Sequence, residues 1–145
     1  MARSYASAVV DAPVEQVWEL VRDFDGLPRW HPAIERSEIE GGGPADRIGA
    51  VRRLALGAGG EVRERLVALD DTARSTSYEF VTSPFPVRRY RATLRVAEDT
   101  AGGRSFVEWC ADYDADAADE AELDRTFATG VFAAGLAGLQ RHITE

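Results

Sequence analysis

The chain contains no lysine; all 17 of its basic residues are arginine. A Schiff-base mechanism through a side-chain amine is therefore excluded, since only lysine offers one. There is one cysteine, Cys110, and there are two histidines, His31 and His142. An internal disulfide is impossible, and a thiolate–imidazole zinc site lacks ligands, so no metal and no cofactor are expected. Positive charge is scarce as well. Against 25 acidic residues the arginines leave a net charge of −8, the wrong sign for a phosphate backbone. No nucleic-acid partner is expected. Long hydrophobic runs are also missing. None approaches the roughly 20 residues of a membrane span, and "MARSYASAVVDAP" has no signal-peptide core. A cytoplasmic location is the expectation. With no internal repeat and no linker-like stretch, residues 1–145 read as one domain.

What is present is periodic. "RSYASAVV" alternates like a short strand. "APVEQVWELVRDF" puts Pro13 in a first helical turn and Val14, Val17, Trp18 and Val21 at helical spacing. "DGLPRWHP" carries too many breakers for a long helix and predicts a short second one ending at His31. From Ala33 to about Tyr113, strand signals alternate with the turns "GGGPAD", "GAGG", "DDTAR", "TSPFP" and "DTAGG". The tail "DADAADEAELDRTFATGVFAAGLAGLQRHITE" predicts one long helix, its acidic residues at the end the dipole favours.

Strand parity indicates what the sheet encloses. Folding "VRRLALGAGGEVRERL" about Ala58 pairs Leu54 with Val62 and Arg52 with Glu64. One face then holds Arg52, Leu54, Leu56, Val62, Glu64, Leu66 and Ala68, and the other Arg53, Glu61, Arg63 and Arg65. The next hairpin sets Thr76, Tyr78 and Phe80 beside Tyr90, Ala92 and Leu94, and the last strand adds Val107, Trp109, Ala111 and Tyr113. The C-terminal helix would cover this face with Phe127, Val131, Ala134 or Gly135, Gly138 and Ile143. Its glycines at 130, 135 and 138 each cost about 1 kcal/mol relative to alanine. Either the helix passes very close to something, or room is left beneath it. Large aromatics under a helix of small residues favour a cavity. On that expectation Gly135→Leu removes binding and leaves the fold intact.

The order of elements, with the landmarks "APVEQVWELVRDFDGLPRWHP", "ERLVALDD", "SYEF", "PVRRYRATLRV" and "FVEW", resembles the START/Bet v 1-like helix-grip superfamily (SRPBCC) over nearly the whole chain. In style it is closest to the bacterial polyketide cyclase/dehydrase-like branch. The resemblance implies an α+β helix-grip fold: a curved antiparallel sheet around a long C-terminal helix, with two short helices after the first strand. The run from Glu64 to Ala92 is also similar to the plant abscisic-acid receptors, which share that fold. Carried over, the similarity places His31 at a pocket lysine that anchors a ligand carboxylate. Arg52 and Glu64 fall at polar pocket positions, Tyr78, Phe80 and Tyr90 at lining positions, and Phe127 and Val131 on the lid helix. The receptors' gate is shortened here to "LGAGG" and their latch becomes "FPV", so hormone sensing is not carried over.

The expected ligand-binding set is His31, Arg52, Leu54, Glu64, Tyr78, Phe80, Tyr90, Phe127, Val131 and Gly135. Two readings of the polar members stay open. Arg52 and Glu64 either orient a ligand in a cavity or form a solvated pair at its open end. His31 either anchors or titrates, or satisfies backbone groups at a helix end before Pro32. Trp109 reads as packing, Cys110 as a structural thiol, and the acidic run from Asp112 to Asp124 as helix-end electrostatics. The favoured function is binding of a hydrophobic, aromatic or lipid-like small molecule by a monomer or homodimer. The alternative is a polyketide aromatase/cyclase or dehydratase, with His31, Arg52, Glu64 or Tyr90 moving protons.

Overall fold

A computed structural model describes residues 1–145. Alternating apolar and charged residues carry the chain through seven antiparallel strands in one sheet. They are β1 (Ala2–Val10), β2 (Ile34–Ile39), β3 (Val51–Leu56), β4 (Glu61–Asp70), β5 (Ser75–Thr82), β6 (Arg89–Asp99) and β7 (Arg104–Asp114). Their order across the sheet is β1-β7-β6-β5-β4-β3-β2, so every connection except β1 to β2 joins neighbours. Helix α1 (Val14–Arg22) buries Val14, Val17, Trp18 and Val21, the four positions its periodicity selects. The expected second helix is only a 3₁₀ turn, Leu27–Arg29, because Pro28 and the flanking Gly26 permit no longer one.

The hairpin of β3 and β4 pairs Leu54 with Val62 and Arg52 with Glu64, as parity requires. Its turn uses Gly59 and Gly60 at φ of 97° and 98°, backbone that side chains rarely adopt. Further along β4 the alternation breaks. The register with β5 slips between Leu66 and Ala68, so that Val67 is extra and parity reverses. Leu69 rather than the expected Ala68 then packs against the core. A second slip lies between Arg63 and Glu64. Such bulges bend a sheet and re-aim side chains, and both flank Glu64.

The C-terminal helix begins at Ala117, three residues later than its acidic run suggests, because Asp114 still pairs with Arg89 in the sheet. It is α-helical over Ala117–Asp124, π-helical over Arg125–Ala133, and α-helical again over Ala134–Thr144. The wide middle section alters the phase of the buried stripe. Below Phe127 the fully buried residues are Phe132, Leu136 and Leu139, five, nine and twelve positions on, whereas Val131 is half-buried. A stripe drawn at 3.6 residues per turn misses them, because π-helical hydrogen bonds span five residues instead of four. No helix is long and apolar enough to cross a membrane. A seven-stranded curved antiparallel sheet with a long helix laid across its apolar face is the α+β helix-grip arrangement.

Candidate functional site

Where β3 to β6 curve away from the C-terminal helix, they leave a small cavity of about 50 Å³, lined by 14 residues of which 12 are hydrophobic. That is room for roughly four waters. Aromatic packing keeps it small. Phe80 and Tyr90 stack with ring centroids 3.7 Å apart, and Phe127 stands against Tyr90 at 4.9 Å and Phe85 at 5.2 Å.

Of the expected residues, the cavity wall brings together His31, Leu54, Glu64, Tyr78, Phe80, Tyr90, Phe127 and Val131. Arg52 sits one layer behind. Leu27, Ile34, Leu56, Val62, Phe85 and Trp109 complete the wall. Leu56, Val62 and Trp109 share the inward parity, so the sequence carried their signal. Phe85 lies in the "TSPFP" turn, where no periodicity marks a side chain as inward.

Arg52 and Glu64 are 4% and 5% exposed, so the solvated-pair reading fails. Arg52 Nε donates to Glu64 Oε1 at 2.8 Å, Nη2 lies 2.7 Å from the same oxygen, and Nη1 donates to the Phe24 carbonyl at 2.8 Å. The guanidinium is also sandwiched, 4.1 Å from the Phe24 ring centre and 4.7 Å from that of Tyr78. Burial pushes the Glu64 carboxyl above the usual carboxylate range, and Arg52 offsets this only in part. Tyr78 accepts a hydrogen bond from Trp109 Nε1 at 3.1 Å, and burial drives the Tyr78 and Tyr90 hydroxyls up too, aided by neighbouring Glu64.

His31 is 2% exposed, and both ring nitrogens are engaged. The Ala33 backbone N–H donates to Nδ1 at 3.1 Å, which requires that nitrogen to be unprotonated. Nε2 lies 2.8 Å from the Val131 carbonyl and must carry the proton. The ring is thus a neutral strut between the 3₁₀ turn and the π-helical segment, and it shows its edge to the cavity. Burial is the main cause that pushes its pKa below 6.5. The sign follows. Below about pH 6.5 the unfolded chain takes up a proton that the folded chain refuses, so stability falls as pH drops through that window. Glu64, whose shift is upward, has the opposite sign. The expected result is a loss of stability for the native chain relative to His31→Asn as pH falls from about 7 to 5. Parallel curves in chemical denaturation would show that His31 titrates as freely folded as unfolded.

Gly135 does not leave room. A methyl group there would meet His31 Cδ2 at 2.6 Å and Trp109 Cζ3 at 2.7 Å. At Gly138 it would collide with the Trp30 carbonyl oxygen. These glycines let the helix press onto the His31–Trp109 layer, so the expectation that Gly135→Leu spares the fold is overturned. Gly130 faces open space. Cys110 points away from the cavity on the opposite parity to Trp109, and burial raises its thiol pKa.

The family described as polyketide cyclase/dehydrase and lipid transport matches residues 1–144. The chain belongs to that family. Among solved structures, the protein XoxI from Bacillus cereus is 34% identical with a TM-score of 0.87, over 100% of this chain and 97% of that one. The di-domain ARO/CYC BexL from the BE-7585A biosynthetic pathway is 25% identical with a TM-score of 0.81, over 99% of this chain and 47% of BexL. The abscisic acid receptor PYL7 of Arabidopsis thaliana is 30% identical over 99 residues, 66% of this chain and 46% of the receptor. The chain matches about half the length of these curated receptors, 46% and 53% of the first two. In this family member the polar residues of the cavity are interleaved with aromatic ones, Arg52 between Phe24 and Tyr78 and His31 against Trp109.

Proposed function

We propose that residues 1–145 form one ligand-binding domain that holds a hydrophobic, aromatic or lipid-like small molecule between the sheet and the C-terminal helix. The observation that carries this reading is a carboxylate, Glu64, maintained inside a wall that is otherwise almost wholly apolar. A chain needing only a stable core would gain by replacing the Arg52–Glu64 pair with aliphatic residues. The cavity must widen to accept a ring, since about 150 Å³ holds a benzene. Half-buried Leu56, Phe80, Phe85 and Val131 are the wall residues free to yield. The reading places the protein in the cytoplasm, as a monomer or homodimer, without a nucleic-acid partner; its net charge of −8 fits the last point.

The second reading, a polyketide aromatase/cyclase or dehydratase, is favoured by the likeness to BexL and by one local observation. Glu64 is a carboxyl whose pKa burial raises, as a general acid requires. His31 and Arg52 have their nitrogens engaged within the protein and are poorer proton carriers. Under this reading Glu64 moves the proton and Tyr90 orients the substrate.

Native mass spectrometry of gently purified protein is expected to show a retained small molecule. Val131→Phe projects a ring into the cavity from the helix. It is expected to weaken binding of a neutral fluorescent naphthalene dye by roughly tenfold or more, with an overpacking cost of about 1–3 kcal/mol. Unchanged dye affinity in a folded Val131→Phe protein would place binding elsewhere.

A further inference from the structure

The polar groups at the cavity have an uneven balance of donors and acceptors. All three Arg52 nitrogens have protein partners, and both faces of the guanidinium are covered by rings. His31 directs its one proton to Val131. His31 has no second N–H, and Arg52, although two of its five N–H groups are uncommitted, stands behind the cavity wall and not on it. Glu64 is different. Oε1 takes both contacts from Arg52, while Oε2 accepts no hydrogen bond from the protein. It is not sealed off either: the one buried side-chain polar atom without a partner is Trp30 Nε1. Oε2 is therefore open to a water-sized molecule in the cavity that Glu64 lines. The Tyr90 hydroxyl is on the same wall, with the Tyr78 hydroxyl as its polar neighbour.

From this arrangement we infer that the cavity selects neutral, hydroxyl-bearing apolar molecules, phenols or alcohols, and rejects carboxylic acids. The inference rests on the ligand-binding reading and names its ligand class. A hydroxyl donates to Glu64 Oε2 and accepts from Tyr90, so one group satisfies both. A carboxylate would bring a second negative charge against Glu64 with no free cation to meet it. An ammonium fails for the opposite reason. Arg52 already neutralises Glu64, so a cationic guest leaves the largely apolar cavity with a net positive charge. The resemblance to the abscisic-acid receptors implied a carboxylate anchor at His31. Here that position holds a neutral imidazole whose proton is committed to a backbone carbonyl.

The test uses four guests on one skeleton: naphthalene, 2-naphthol, 2-naphthoate and 2-naphthylmethylamine, titrated against the whole chain near neutral pH. Naphthalene is expected to bind, and naphthol roughly tenfold more tightly, the scale of one added hydrogen bond. Both ions are expected at least tenfold weaker than naphthol. Naphthol binding no better than naphthalene, or either ion matching naphthol, overturns this inference and leaves cavity binding standing. If neither neutral guest binds, cavity binding falls and this inference with it. The double variant Arg52→Met/Glu64→Leu should bind naphthol and naphthalene alike. Tyr90→Phe preserves the ring stack and covers the case in which the double variant does not fold. It should cut the naphthol preference about threefold without changing naphthalene. The full tenfold preference retained in either folded variant overturns the assignment.

Discussion

Glu64→Gln is expected to lower the stability of the chain by about 3–5 kcal/mol, the scale of breaking a buried ion pair. The substitution keeps shape and removes only the charge, so Arg52 stays buried between Phe24 and Tyr78 without its counterion. Its remaining partner, the Phe24 carbonyl, supplies a dipole where a full charge was needed. Glu61→Gln is the control. Glu61 is exposed and faces Arg53 across the hairpin at 3.5 Å, a contact worth at most about 1 kcal/mol in solvent. Water drawn into the cavity can soften the Glu64 effect but not erase it. The double variant Arg52→Met/Glu64→Leu should recover most of the loss, because it removes both charges and restores apolar packing. Urea denaturation of the four proteins decides the matter. Equal effects of Glu64→Gln and Glu61→Gln would mean that Glu64 stands in solvent.

The second large effect concerns the helix glycines, whose alanine variants should differ in sign. Gly138→Ala is expected to cost about 3 kcal/mol, at the upper end of overpacking, because the added methyl meets the Trp30 backbone carbonyl, which cannot rotate aside. Gly135→Ala should cost about 1–3 kcal/mol, since His31 and Trp109 are rings already held by hydrogen bonds. Gly130→Ala should stabilise by up to about 1 kcal/mol, because that glycine is exposed and its methyl meets nothing. Thermal unfolding of the three variants ranks them. A neutral Gly138→Ala would mean that the helix can lift off the Trp30 turn at no cost, and the close approach would then explain nothing.

The proposed site was legible to the extent that strand alternation carried it. Two-residue periodicity is local, so Arg52, Leu54, Glu64, Tyr78 and Tyr90 could be set on one face before any tertiary contact was known. Where a residue is inserted, the periodicity fails without warning. Val67 looks like any strand valine, yet its bulge sends Leu69 inward in place of Ala68. The π-helical turns are equally silent, since Phe132, Leu136 and Leu139 fit no 3.6-residue stripe through Phe127. Phe85 closes the cavity from a proline turn that carries no pattern.

The helix-grip architecture was implied by the resemblance to a known family; by itself, the sequence determined the charged outer face, the apolar inner face and the opposition of Arg52 to Glu64. Each follows from spacing along the chain and from the cost of placing charge in an apolar layer. Tertiary structure decided what those residues do. Only with Phe24 and Tyr78 on either side of Arg52 is the guanidinium held behind the wall and one Glu64 oxygen left for a guest. Only with Val131 and Ala33 brought to its two nitrogens does His31 become a neutral strut instead of a proton carrier. The same holds for the glycines. A missing side chain can mean space or contact, and the difference lies in how near the Trp30 turn and Trp109 come to the helix. No local pattern records that distance, because it is set by residues about a hundred positions apart in the chain.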